Sequence, residues 1–300
     1  MRFIEKLLSY SGEKNNSFIK TWDGDHLQNS SLKKIAMQRM EGSASFSTVY
    51  KDQRSFLEKL YQSGSLKLRF PLYSDNHFEA VQINTAGGLT GGDKLFWKCE
   101  LGEKTKATIT TQAAEKIYRS LDAMPAEINI SLNLRKNSTL FWLPQETIFF
   151  NRGALKRKIT VEMEEGAALL LVEAFVFGRK LMGEKVVNGF IDDEWQVRLK
   201  NKLVHFEAFK INGNILQQST RPAIFNANQA IATILYIAND FEGKEAAARE
   251  IIGQSGGVSV WNGKLLARII EKDSYSLREK LVPLIKLLTK GADVPKFWSI

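Results

Sequence analysis

Ile128-Asn129-Ile130-Ser131-Leu132-Asn133-Leu134 alternates apolar and polar residues without a break, and Ile159-Thr160-Val161-Glu162-Met163-Glu164 repeats the pattern further on. A period of two places every second side chain on the same face, so both stretches read as strands with one wet face and one dry face. Upstream, Leu66, Leu68 and Phe70 alternate with Lys67 and Arg69 and run into Pro71, a half-buried strand closed by a proline. Between Asp93 and Glu207 the period of two dominates. Gly102, Asn137, Gly153, Gly166, Gly189 and Gly213 punctuate it at intervals suited to a large antiparallel or stacked β structure. Few places remain for a helix; residues 113–119 have room for a single helical turn. Residues 167–177 are apolar except for Glu173, so they are expected to be buried on both faces. A carboxylate there is costly unless protonated, paired or metal-bound.

After Arg221-Pro222 the character changes to α/β. Residues 231–237 read as a buried strand, 242–252 as a short helix, and 258–261 with 264–270 as a hairpin through Asn262-Gly263. Asp273 and Ser274 can cap a helix with apolar residues at Leu277, Leu281, Leu284, Ile285 and Leu288, stopped by Gly291 and distorted by Pro283. The first 60 residues show weak periodicity and frequent turn residues. The expected organisation is therefore a turn-rich segment 1–60, a β-rich scaffold 61–220 and an α/β portion 221–300, read together as one continuous domain.

The 300 residues are 44% apolar and 25% charged, enough to bury a large core. Residues 1–10 are too short and too polar an apolar stretch for a signal peptide, and no run approaches the roughly 20 apolar residues of a membrane span. A cytoplasmic protein without membrane contact is the expectation. The single cysteine, Cys99, excludes an internal disulfide. A net charge of +9 attracts nucleic acid, anionic membrane or an acidic protein alike. The basic residues form small clusters, Lys33-Lys34, Lys156-Arg157-Lys158 and Arg198, Lys200 and Lys202; the last set alternates with other residues and reads as the solvated face of a strand, not as a nucleic-acid stripe. His26, His77 and His205 have no metal-motif spacing, and no Gly-x-Ser-x-Gly elbow is present.

The densest motif is Asn84-Thr85-Ala86-Gly87-Gly88-Leu89-Thr90-Gly91-Gly92-Asp93, followed by a strand-like run and then Thr110-Thr111-Gln112-Ala113-Ala114-Glu115-Lys116-Ile117-Tyr118-Arg119-Ser120. Gly87, Gly88, Gly91 and Gly92 mark a tight turn or a close approach of another surface. A phosphate loop is excluded, because Asp93 stands where that motif needs lysine and a strand follows where it needs a helix. Further on come Trp142-Leu143-Pro144-Gln145-Glu146-Thr147-Ile148-Phe149-Phe150, then Gly178-Arg179 and Gly183-Glu184.

These stretches resemble the urease accessory protein UreD (UreH) family. That family carries Pro-Pro-Gly-Gly-x-x-Gly-Gly-Asp-x-Leu, a strand, Thr-Thr-x-x-Ala-x-Lys-x-Tyr-Arg-Ser, Trp-Leu-Pro-Gln-(Glu or Asp)-x-Ile-x-Phe and Gly-Arg-x-x-x-Gly-Glu, in this order. Residues 64–73 match another family segment loosely, and Phe297-Trp298 is similar to the family's terminal Pro-Arg-Ile-Trp. Here Thr85-Ala86 replace the two prolines and Asn84 stands where relatives have histidine. The resemblance covers about residues 60–300. It implies a large, mostly β, helix-like stack without catalysis of its own. It further implies that the chain joins UreF and the GTPase UreG to apo-urease and passes nickel along an internal water-filled tunnel. No tightly bound cofactor is implied, only transient nickel; the assembly would be a dimer of heterocomplexes.

The candidate residues for the nickel path are acids in apolar or glycine-rich settings: Asp93, Glu173, Glu207 and Glu115. Oxygen ligands taken singly hold a divalent cation weakly, which suits transfer better than storage. The bland alternative stays beside this: Asp93 or Glu173 accepts backbone N–H groups or pairs with Arg119 or Arg179 to hold a loop. Lys116, Tyr118, Arg119, Gln145, Glu146 and Arg179, with the four loop glycines, read as structural motif residues. The helix from Ser274 is a candidate for the surface facing UreF. Two rival functions are an enzyme with paired carboxylates in one pocket and a basic nucleic-acid-binding protein.

Overall fold

The computed structural model describes residues 38–71, 78–122, 124–178, 183–241, 243–290 and 294–298. The chain divides into Met1–Gln38 and Arg39–Ile300; the second unit is described here. Arg179, Gly291, His26, His77 and Lys33-Lys34 lie outside the described residues.

Among the described residues, seventeen strands form two sheets. The first contains β1 (Glu41–Lys51), β2 (Arg54–Gly64), β5 (Lys94–Leu101), β8 (Ala126–Leu134), β11 (Ala154–Met163), β13 (Asn188–Leu199) and β14 (Lys202–Asn214), in the spatial order β14-β13-β11-β8-β5-β1-β2. The second contains β3 (Leu66–Arg69), β4 (Phe78–Asn84), β6 (Lys106–Thr111), β9 (Thr139–Leu143), β12 (Ala168–Phe177), β15 (Ala230–Ile237), β16 (Gly256–Trp261) and β17 (Lys264–Glu271), in the order β16-β17-β15-β12-β9-β6-β4-β3. Two short strands, β7 (Glu115–Ile117) and β10 (Thr147–Phe149), pair in parallel with each other and, through β10, with β12.

From β4 to β13 the chain passes back and forth between the sheets, so neighbours within each sheet run parallel. The result is a solenoid-like β stack, closed at its ends by antiparallel strands. Strict alternation drives this arrangement, because each strand must present its dry face to the same interior. The register shows it as ladders across the first sheet: Leu101, Leu134, Met163 and Leu199; Cys99, Leu132, Val161 and Val197; Trp97, Ile130, Ile159 and Trp195. All but the half-exposed Leu199 are buried.

Strand β12 is buried on both faces, as its sequence suggests, and separates two cores. Leu169, Leu171, Phe175 and Phe177 face the space between the sheets. Leu170, Val172 and Ala174 face the second core, beneath the helices α2 (Lys244–Ile252) and α3 (Ser274–Leu288). Asp273 caps α3 by accepting the Ser276 N–H at 2.9 Å, and the expected stripe from Leu277 to Leu288 is buried in that core. The stripe that suggested a partner-facing surface is thus covered by the chain's own sheet. A third, short helix, α1 (Ile215–Ser219), follows β14.

Three expectations need correction. Residues 113–119 form no helical turn; their backbone is taken up by β7, whose hydrogen bonds to β10 win over local propensity. The antiparallel alternative holds only at the sheet ends. The turn-rich reading of the first 60 residues missed the β1–β2 hairpin, whose second strand runs across position 60. No described helix is long and apolar enough to cross a membrane.

Candidate functional site

The apolar ladders break at one rung. Leu95 and Ile128 occupy it on β5 and β8, but the next two strands place Arg157 and Asp193 there, on the face that should be apolar. Opposite, on β12, stands Glu173 among Leu169, Leu171, Phe175 and Phe177. The three charges meet between the sheets. Arg157 donates from Nε and an Nη to the two oxygens of Asp193 at 2.8 and 2.7 Å, and from its other Nη to Glu173. Trp142 Nε1 donates to the second oxygen of Glu173 at 2.8 Å, Trp195 Nε1 lies 3.3 Å from Asp193, and the guanidinium stands 4.9 Å from the Phe175 ring centre. Arg157 is only 4% exposed, although it stands between the exposed Lys156 and Lys158. Its parity on the strand, shared with Ile159 and Val161, was the signal that reveals it.

Next to this trio, Glu207 on β14 accepts from Arg268 Nη2 on β17 at 2.7 Å, an ion pair that spans the two sheets. Glu173, Asp193, Glu207, Trp195, Phe209 and Thr233 line a cavity of about 10 Å³, space for about one water. Two of the four sequence candidates, Glu173 and Glu207, therefore share one cleft, joined by Asp193, which the sequence reading passed over. Three carboxylates against two guanidinium groups leave the cleft one negative charge when all are ionised. Burial raises the pKa of Glu173, and Asp193 adds to this while Arg157 opposes it. For Arg157, burial works against the charge, but Asp193 and Glu173 outweigh it and hold the group protonated. Two residues before Glu207 on the same face, His205 is buried with Nε2 unpartnered; burial, then Lys264 and Arg268, lower its pKa to about 4. It is a neutral imidazole at pH 7.

Asp93 lies elsewhere. Its two oxygens accept the backbone N–H groups of Met40 and Thr90, each at 2.8 Å, which fastens the glycine loop to the start of β1. Two to four strand spacings of about 4.8 Å, roughly 10–19 Å, separate its strand from those of Arg157, Asp193 and Glu207. The loop glycines serve close packing: a Cβ on Gly88 would lie 2.5 Å from the Tyr118 ring, and one on Gly91 would lie 2.4 Å from the Met124 carbonyl. Leu89 and Tyr118 exchange backbone hydrogen bonds with the facing segment, and Tyr118 stacks on Phe150 at 5.0 Å. The glycine loop and the Thr110–Ser120 motif are therefore one packed unit. Arg119 contributes its carbonyl to Thr90 Oγ1 at 2.9 Å.

Glu115 occupies a third place. It accepts from Asn84 Nδ2 and from the Lys116 N–H, borders a separate cavity of about 90 Å³, and burial raises its pKa. Gln145 and Glu146 hold the C-terminal elements: Arg278 and Ser274 of α3 donate to Glu146, Arg278 also to Gln145, and Gln145 Nε2 to the Phe297 carbonyl. Trp298 Nε1 adds a bond to the Leu143 carbonyl at 3.0 Å. Among the described residues, no group of three or more His, Cys, Asp or Glu is disposed to hold a metal ion.

Fold and site together define a solenoid-like β scaffold whose polar interior is a seam of charges between two sheets. The profile of the UreD urease accessory protein family matches residues 40–299. "Urease accessory protein UreD 1" of Brucella ovis is 43% identical over 278 residues, covering 91% of this chain and 99% of the relative. "Urease accessory protein UreD" of Mesorhizobium japonicum is 45% identical over 267 residues, 88% and 95% of the two chains. The chain belongs to the UreD urease accessory protein family. The match begins at residue 40, so the family likeness takes in the β1–β2 hairpin that lay outside the recognised motifs.

Proposed function

We propose that this chain acts in urease maturation as a scaffold that hands nickel to the apoenzyme, with UreF, the GTPase UreG and the urease subunits as its partners. The observation that carries the reading is the convergence of Glu173, Asp193 and Glu207 on one internal cleft, three carboxylates against two guanidinium groups. A cation leaving a donor and entering an acceptor needs oxygen ligands that bind it in passing, and these carboxylates supply them. As it stands the cleft has room for about one water, so passage requires a side chain to move. Arg268 is the candidate: its side chain is 43% exposed while Glu207 is 12% exposed. The guanidinium can turn to solvent and free the carboxylate, whereas Arg157, buried against two acids, stays as the fixed counter-charge. The same lack of room leaves no place for an organic substrate between these acids in the closed arrangement, which disfavours the acid–base enzyme.

The test is co-expression of urease and the other accessory proteins with the wild-type chain, without it, and with Glu207→Gln, followed by metal analysis of purified urease and pull-down of partners. Omission of the chain is expected to leave urease poor in nickel; Glu207→Gln is expected to retain partners and lower nickel loading. Full nickel loading without the chain overturns the role, and full loading with Glu207→Gln overturns the cleft as the path.

A further inference from the structure

Strand β2 is the terminal strand of the first sheet, pairing with β1 along one side, and no other described strand pairs along its outer side. Its eleven residues contain no proline. Long exposed edges are normally blunted because their unpaired N–H and C=O groups recruit other strands. This one carries four exposed large apolar side chains, Phe56, Leu57, Leu60 and Tyr61. The second sheet stops at β3, which reaches the end of β2 through the Leu68 N–H bond to Gln62, and among the described residues the middle of β2, Phe56 to Tyr61, stays exposed.

The register with β1 decides what can pair there. It runs from Ser47 opposite Lys59 to Thr48 opposite Leu57, so Glu58 is one extra residue, a bulge. The bulge changes the parity of the strand. Phe56 and Tyr61, opposite Val49 and Ser45, share the outer face; Leu57 and Leu60, opposite Thr48 and Phe46, share the inner face. In a regular strand residues an odd number apart point to opposite sides; here the bulge brings each of these pairs to one side. Antiparallel pairing of identical strands about a two-fold axis normal to the sheet keeps each residue on its face, so it requires facing residues to share a side.

We infer that β2 is a homodimerisation edge that pairs antiparallel with β2 of a second copy, about an axis between Glu58 and Lys59. In that register Leu57 meets the partner's Leu60, Phe56 meets the partner's Tyr61, and Glu58 meets the partner's Lys59, each twice. Apolar faces apolar, aromatic faces aromatic, and opposite charges face each other, the combinations that stabilise cross-strand pairs. No like charges oppose. The net charge of +9 on each copy works against association, but it is screened beyond about 8 Å at physiological salt, while the Glu58–Lys59 contacts are direct. The inference is independent of the nickel reading.

Sedimentation of the full chain over a range of concentrations tests it. Wild type is expected to form a concentration-dependent dimer. Glu58→Lys alone or Lys59→Glu alone sets like charges face to face and is expected to weaken the dimer about 10-fold or more, while the double variant E58K/K59E recovers it. A structural defect in the hairpin would not be repaired by the second swap. Register is read by disulfide trapping: Leu57→Cys mixed with Leu60→Cys gives a cross-linked pair, and either alone gives none; buried Cys99, its thiol pKa raised by burial, does not interfere. A monomer at every concentration without a mixed cross-link, failure of the double swap to restore the dimer, or cross-linking of Leu57→Cys with itself overturns the proposal.

Discussion

The molecule buries acids in two ways. At the glycine loop, Asp93 is satisfied by two backbone N–H groups; in the cleft between the sheets, Glu173, Asp193 and Glu207 are satisfied by side chains of opposite charge and by indole N–H groups. A carboxylate fixed by backbone cannot release its partners without opening the loop, so it acts as a rivet. A carboxylate held by a guanidinium that reaches solvent, as Glu207 is by Arg268, can exchange it for another cation. Burial of an acid is therefore a poor guide to function until its partner is known.

The largest effect expected on this contrast is at Arg157. Arg157→Met leaves two buried acids without their counter-charge and is expected to lower stability by about 3–5 kcal/mol in urea denaturation. Replacing Arg157, Glu173 and Asp193 together by Met, Leu and Leu is expected to restore most of it, which would separate the role in transfer proposed for the cluster from any role in stability. The next effect is a pH dependence. His205 has a pKa of about 4 in the fold against 6.5 for a free imidazole, so between these values the unfolded chain binds more protons. Stability is expected to fall as pH drops from 6.5 toward 4, by on the order of 2–3 kcal/mol, and the difference between wild type and His205→Asn denaturation curves measures it. Asp93→Ala, which leaves the half-buried Met40 and Thr90 N–H groups without their acceptor, is expected to lose about 1–3 kcal/mol and to speed hydrogen exchange at both. Smallest in stability is Glu207→Gln, under about 1 kcal/mol because a glutamine oxygen can still accept from Arg268, whose side chain is 43% exposed. A large loss there would move Glu207 to the rivet class.

Much of the fold was legible because the period of two is so regular: β8, β11, β12, β15, the β16–β17 hairpin and α3 with its Asp273 cap all follow from spacing. What escaped were features set by pairing. The β1–β2 hairpin is exposed along much of its second strand, so its apolar residues follow no clean period; β7 is three residues long and exists through β10. In the cleft, Glu173 was visible as the single acid in an apolar run and Glu207 as an acid in an apolar setting. Arg157 was hidden by two neighbouring lysines and Asp193 by Asp192, although each keeps the inward parity of its strand. A charged residue at an apolar parity is a stronger sign than a cluster of charges.

The clasp of Gln145 and Glu146 on Arg278, Ser274 and residue 297 also sets an order of events. Helix α3 is synthesised after the whole sheet surface that it covers, so Leu170, Val172, Ala232 and Ile234 stay bare on a nascent chain until residues 274–298 emerge and close over them. Transiently exposed apolar sheet of this kind promotes aggregation. For this scaffold, solubility during synthesis turns on the emergence of α3, a latch whose receiving half was made long before.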